Sequence, residues 1–205
     1  MAQGASLTRY MDAQQFDAED RKYSELWRGD YKDARWGRLA TRLLRHTAHD
    51  ATHSSLIDLG FGRGAAMDFF ERRGFSVAGT EISSYAVQRQ RDLGRTVYHA
   101  SLDNLSMIET GAFQIGFCND VIEHVPEELV EPSLTEMARV CSDFLFLSVC
   151  PAPAHHPSPH GGDLHLTVRP RVWWVARLER HGRVRRFFVP FSRSLRFVID
   201  LTERS

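Results

Sequence analysis

Five short runs of apolar, β-prone residues alternate with helix-forming segments after residue 50, and that alternation restricts the chain to very few architectures. The runs are SLIDLG (55–60), FSVAGTEI (75–82), TVYHA (96–100), FQIGFCND (113–120) and DFLFLSV (143–149). Between them lie AAMDFFERRG (65–74), SYAVQRQRDLG (84–94) and a longer helical stretch over 126–141. Strand–helix–strand alternation of this kind builds a parallel sheet covered by helices on both faces. The end of the chain breaks the rhythm. PRVWWVARLERHG (170–182) reads as an amphipathic helix stopped by Gly182, and VRRFFVPF (184–191) and SLRFVIDLT (194–202) follow with only a short Ser/Arg turn between them. So short a connection forces an antiparallel pair. Before residue 50 the pattern is helical, in AEDRKYSELWRG (18–29) and in YKDARWGRLATRLLRH (31–46). PAPAHHPSPHGGD (151–163), with four prolines and two glycines, must be a loop. The expected fold is therefore α/β: a doubly wound, seven-stranded, mostly parallel sheet with a C-terminal antiparallel hairpin. An N-terminal helical cap or lid over 1–50 precedes the main domain at 51–205.

Charge divides unevenly along the 205 residues, although Lys plus Arg and Asp plus Glu both number 26. Between His165 and Val198 there are nine arginines against the single Glu179, a local +8 that the rest of the chain offsets. A neutral total argues against a body that wraps nucleic acid through bulk charge. The basic tail could attract a phosphate-bearing or carboxylated acceptor, or an anionic membrane surface, or it could be a solvated face balanced by the acidic remainder. Only Lys22 and Lys32 are lysines, a bias that fits a GC-rich, bacterial genome. Cys118, Cys141 and Cys150 form no CxxC and sit among apolar residues, so they read as small buried hydrophobes. No run approaches the roughly 20 apolar residues of a membrane helix, and the first residues lack the form of a signal peptide. The expected compartment is the cytoplasm, with the protein a monomer or homodimer.

Chemistry concentrates in Asp58-Leu59-Gly60-Phe61-Gly62-Arg63-Gly64, which closes the first strand and opens the next helix. A glycine turn there lets backbone approach a ligand closely. Gly60, Gly62 and Ala65 also fit the dinucleotide fingerprint, with Glu81 as its ribose-binding acid, so NAD and a sulfonium nucleoside compete. Asp58 favours the latter. A carboxylate two residues before the first glycine would repel a pyrophosphate, whereas it would attract the sulfonium and ammonium of S-adenosylmethionine. Glu81 would then accept both ribose hydroxyls.

These residues resemble the class I S-adenosylmethionine-dependent methyltransferases over roughly residues 50–205. LIDLGFGRG resembles the family's first motif, and VAGTEIS its acid closing the second strand. The resemblance implies a donor site of Asp58, Gly60, Gly62, Gly64, Glu81 and the adjoining Ile82. In LDNL (102–105) it implies Leu102 beside the adenine ring and Asp103 at the adenine amino group. In FCNDVIEHVP it implies a backbone contact from Asn119 to the methionine moiety. Phe61 and Gln114 depart from the family's usual residues. The implied product is S-adenosyl-L-homocysteine.

Methyl transfer is an in-line displacement, so positioning and exclusion of water are the main requirements, with a base when the acceptor is a hydroxyl. Five of the ten histidines, His124, His155, His156, His160 and His165, follow strands four and five, where open α/β sheets bind ligands. His165 is the first candidate base and His155 the second. Asp120, Glu123 and His124 with a loop histidine could hold a divalent metal, in a pattern resembling that of metal-dependent RNA 2′-O-methyltransferases; the expectation is nevertheless a metal-free site. Tyr10, Tyr23, Trp27, Tyr31 and Trp36 could form a lid over the cofactor, or simply pack the helices down. Trp173 and Trp174 point about 100° apart on a helix, so only one need be core. The expected reaction is O-methylation of a small molecule or saccharide in glycan or natural-product biosynthesis, with nucleic acid disfavoured as acceptor. Other readings are a metal-assisted RNA 2′-O-methyltransferase and a non-catalytic cofactor-binding subunit.

Overall fold

The computed structural model describes residues 10–31, 40, 44, 54–186 and 193–203. Its seven strands form one sheet, β1 (Ser55–Leu59), β2 (Ser76–Glu81), β3 (Thr96–His99), β4 (Phe113–Asn119), β5 (Cys141–Val149), β6 (Arg183–Arg186) and β7 (Leu195–Asp200), in the order β3-β2-β1-β4-β5-β7-β6. β1 to β5 run parallel; β7 pairs antiparallel with both β5 and β6. The doubly wound sheet and terminal hairpin expected from the sequence are thus both present. The helices are α1 (Ala13–Arg28), α2 (Ala65–Glu71), α3 (Ser84–Asp92), α4 (Glu127–Val140) and α5 (Arg171–Leu178). Residues 187–192, Trp36 and most of the expected second N-terminal helix lie outside the described residues. No described helix is long and apolar enough to cross a membrane.

Burial on both faces explains why the parallel strands read as continuous apolar runs. On one face Ile57, Leu59, Leu145 and Leu147 pack with Leu134 and Met137 of α4 and Trp174 of α5. On the other, Leu56, Phe117, Phe146 and Val198 pack with Phe70 of α2 and with Ala40. The carboxyl ends of β1, β2, β4 and β5 share one edge, and because β7 is antiparallel its beginning joins them: Val149 lies opposite Leu195, and Ser148 opposite Arg196.

Helix α1 extends five residues further toward the N-terminus than the sequence pattern suggests. Asp12 accepts from the backbone N–H of Gln15 while the Gln15 side chain accepts from that of Asp12, a reciprocal box that starts the helix early. The helix then docks on α3 through a polar hub. Asp20 Oδ1 accepts from Ser84 N (2.7 Å), Ser84 Oγ (2.9 Å) and Ser24 Oγ (2.8 Å), and Ser24 Oγ meets Ser83 Oγ at 2.9 Å. These bonds hold the Asp20 carboxyl below its ordinary range against the opposing effect of its burial.

The two adjacent tryptophans divide as their angular separation requires, with Trp174 fully buried and Trp173 only partly so. Trp174→Ala should therefore cost about 3–5 kcal/mol through lost contacts and a residual cavity. Urea unfolding of Trp174→Ala and Trp173→Ala should show the larger fall in midpoint for Trp174→Ala.

Candidate active site

The turn after β1 is pinned to the end of β2 by backbone and carboxylate together. Thr80 O accepts from Gly60 N (2.9 Å) and Phe61 N (3.2 Å). Glu81 Oε2 accepts from Gly62 N at 2.8 Å, and Oε1 from Ile82 N (3.0 Å) and Ser83 N (3.2 Å). Gly60 has φ 83°, and a Cβ there would lie 2.7 Å from both Val121 methyls, so this turn has no room for another residue. A cavity of about 350 Å³ opens over this edge, a volume suited to a small-molecule ligand.

Asp58, Gly60, Gly62, Glu81, Ile82, Leu102, Asp103 and Asn119 all line the cavity, as do His155 and His165. Gly64 is the exception among the expected site residues. Its φ of 83° starts α2, and the space its Cβ would take is filled by Gln90, whose Nε2 lies 2.5 Å from that position and donates to Arg63 O. Gly64 is thus required by packing behind the turn rather than by the cavity. Cys118 and Cys141 are buried as expected, but Cys150 is only half-buried and lines the cavity.

At one end of the cavity the walls are acidic. Asp58, Glu81 and Asp103 are 3%, 5% and 1% exposed, and no lysine or arginine joins them in the described lining at this end. A wall of three buried carboxylates suits a cationic ligand with hydroxyl and amino donors, and would oppose a pyrophosphate. Asp103 Oδ2 also accepts from Met11 N at 2.7 Å, fastening the chain ahead of α1 to this wall. Buried atoms without a hydrogen-bond partner also occur on cavity-lining residues, among them Thr80 Oγ1, Asn119 Oδ1 and Tyr23 Oη. Burial pushes the Tyr23 phenol well above its ordinary range, so it is a neutral donor.

The roof comes from α1 and the loop after it. Tyr23, Trp27 and Tyr31 line the cavity, with Trp27 and Tyr31 ring centroids 5.2 Å apart. Tyr10 is half exposed and does not line it. His160 of the loop 151–163 reaches Glu25 of α1 at 3.3 Å, and His156 packs its ring on Tyr31 at 5.8 Å.

The opposite end is built by histidines. Within the Pro-rich loop, Gly161 and Gly162 take positive φ, and the Asp163 Oδ1 that follows accepts from Ala154 N (2.9 Å) and His165 N (2.8 Å). That brace delivers His165 to the cavity, where its Nδ1 donates to Ala152 O at 2.5 Å and its ring meets His124 edge-on at 4.8 Å. The bond to a carbonyl fixes the proton on Nδ1 and leaves Nε2 as the basic nitrogen. Glu123, His124 and His165 each offer one ligand atom, all within 4.8 Å of one another, and so could hold a metal. Asp120 does not belong to that cluster; its Oδ1 accepts from Ser148 Oγ at 2.6 Å. Among the lining residues the sequence reading did not single out, Thr80, Ser101 and Arg193 are the polar ones of most consequence. Arg193 lay hidden in a turn whose register against β5 could have placed it.

Burial acts oppositely on the two neighbours Glu123 and His124. It pushes the Glu123 carboxyl well above its ordinary 4.5, with the Asp120 charge adding to the rise, and it pushes His124 from 6.5 down to about 3. A buried neutral His124 takes up a proton only on unfolding, so its contribution to stability grows with rising pH between about 3 and 6.5. A buried neutral Glu123 loses its proton on unfolding, so its contribution shrinks as pH rises from 4.5 toward its folded value. In chelator-containing buffer, stability measured from pH 4.5 to 6.5 should therefore climb more steeply in Glu123→Gln than in wild type, by about 1.4 kcal/mol per pH unit, and less steeply in His124→Gln.

No curated protein sequence matches the chain at a significant level. Residues 57–143 match a family model described as a methyltransferase domain. By structure, the chain is similar to magnesium protoporphyrin IX methyltransferase from Synechocystis PCC 6803 with bound S-adenosylmethionine, with TM-score 0.63 and 17% identity over 98% of this chain and 100% of that one. It is similar to 1,6-didemethyltoxoflavin-N1-methyltransferase from Burkholderia thailandensis with bound 1,6-didemethyltoxoflavin and S-adenosylhomocysteine, with TM-score 0.64 and 14% identity over 93% and 87% of the two chains. An S-adenosylmethionine-dependent methyltransferase from Mesorhizobium loti gives TM-score 0.61 and 16% identity over 80% of this chain and 98% of that one. Residues 57–143 thus form a methyltransferase domain, and the seven-stranded sheet has the fold of the S-adenosylmethionine-dependent methyltransferases that the chain resembles.

Proposed function

We propose that this methyltransferase acts on a hydroxyl of a small-molecule acceptor, with His165 as the general base. The observation that carries the reading is the bond from His165 Nδ1 to Ala152 O, which leaves Nε2 as a proton acceptor in the cavity wall. Beside it, burial keeps His124 uncharged. S-adenosylmethionine, when bound, supplies a methyl carbon already activated by its sulfonium. Glu81 and Asp103 hold the nucleoside, and Asp58 faces the cationic methionine end. The acceptor oxygen forms its bond to the methyl carbon as the carbon–sulfur bond breaks, the electron pair staying on sulfur. The acceptor's proton passes to His165 Nε2. Tyr23, Trp27 and Tyr31 exclude water from above. Magnesium protoporphyrin IX and 1,6-didemethyltoxoflavin are the small molecules named for two structural neighbours, and the size of the cavity supports a small-molecule acceptor here.

Calorimetry should detect S-adenosylhomocysteine and no NAD; NAD binding in its place would overturn the reading. Asp58→Ala and Glu81→Ala should each weaken the nucleoside about 10–100-fold, the size expected for a charged hydrogen-bonded contact. His165→Ala should lower kcat about 10²–10⁴-fold with the donor dissociation constant unchanged, whereas His155→Ala, from an exposed loop position, should have a much smaller effect. A second reading rests on the cluster of Glu123, His124 and His165, which would place a divalent metal beside the acceptor. Turnover that survives exhaustive chelation excludes it.

A further inference from the structure

The nine arginines of the tail do not act as one surface. Arg169 pairs with Glu127, Arg177 and Arg180 with Glu131, and Arg183 with Asp200 and Glu203, so four are neutralised by carboxylates. Arg171 opens α5, and Arg185 and Arg186 lie on the edge strand β6. Arg193 and Arg196 are placed differently, at the beginning of β7, where the antiparallel register brings the chain to the carboxyl ends of β4 and β5.

Arg193 lines the cavity and is otherwise exposed. Arg196 is only 9% exposed, its Nε is buried without a hydrogen-bond partner, and it has no ion pair among the described residues. It lies opposite Ser148, whose hydroxyl donates to the cavity-lining Asp120. Burial pushes its guanidinium below the ordinary arginine range, and the Asp120 charge opposes that fall without forming an ion pair. A guanidinium nitrogen buried without a hydrogen-bond partner costs stability unless a ligand supplies the acceptor. Alternating side chains on β7 put Arg196 on the same face as Val198, away from the α5 side. Arg193 thus stands in the cavity wall, and Arg196, three residues further on in β7, lies behind it beside the carboxyl ends of β4 and β5.

We propose that Arg193 and Arg196 form an oxyanion subsite, so that the acceptor carries a carboxylate or phosphate group that these guanidinium groups bind while its hydroxyl is held toward His165. This rests on the methyl-transfer reading above and names the acceptor's chemical class. The carboxylates that suit a cationic donor and the Arg193 guanidinium thus stand on different walls of one cavity.

The test uses the full chain saturated with S-adenosylhomocysteine, in low-salt buffer, titrated calorimetrically with inorganic phosphate and separately with benzoate. One of the two should bind, and which one does distinguishes a phosphorylated from a carboxylated acceptor. Arg193→Gln and Arg196→Gln should each weaken that ion about 10-fold or more, while Arg171→Gln leaves it unchanged. Affinity for S-adenosylhomocysteine and the thermal midpoint are measured for every variant. Because Arg193 is exposed, Arg193→Gln keeps the test sound even if Arg196→Gln fails to fold. Binding of neither ion, or binding unaffected in Arg193→Gln, overturns the subsite; failure of S-adenosylhomocysteine itself to bind overturns the methyl-transfer reading instead.

Discussion

One buried carboxylate holds the ligand-binding edge together. Glu81 gathers the N–H groups of Gly62, Ile82 and Ser83, so the turn after β1 and the segment leading into α3 take their shape from the same two oxygens. Ser83 caps α3 by accepting from Ala86 N, and its hydroxyl meets Ser24 of α1. The glycine turn, the second-strand acid and the roof helix are therefore one connected unit. Isolated burial of a carboxylate would be costly, but three backbone donors offset it.

A second constraint lies across the sheet at Asp120, the one described non-glycine residue with positive φ, at 53°. Its backbone N–H donates to Ser148 O and its carboxylate accepts from Ser148 Oγ, which ties the end of β4 to the end of β5 in a conformation that costs about 1 kcal/mol or more. The sharp bend it produces leads directly into Ile122–His124, the short turn of helix that aims His124 at the cavity. Strain here is spent on direction.

Much of this was legible in the residues. Apolar runs bounded by glycines located β1 to β4 within about two residues, because alternation of period and turn chemistry are local signals. The start of β5 was not legible: the strand begins at Cys141 directly after Val140 of α4, with no glycine or proline between them to mark the change. The start of α1 was missed for the opposite reason, since its capping box of Asp12 and Gln15 is polar and carries no hydrophobic period. At the site, Asp58 and Glu81 could be named because an acid at the end of a strand is conspicuous, whereas Asp103, in the turn after β3, came only through the family resemblance. Gly64 packs against Gln90, 26 positions away, a contact that leaves no trace in the local pattern. Arg193 and Arg196 were visible only as part of a charge run, and which arginines are neutralised is a long-range fact.

The brace at Asp163 has a consequence for how such a protein can change over time. An exposed carboxylate bonded only to nearby backbone gives the loop a frame independent of the sheet beneath it. Residues 155–161 hang from that frame and touch the rest mainly through His156 and His160. Sequence change between 155 and 161 can therefore alter how the loop meets α1 and Tyr31 while the brace itself keeps its shape.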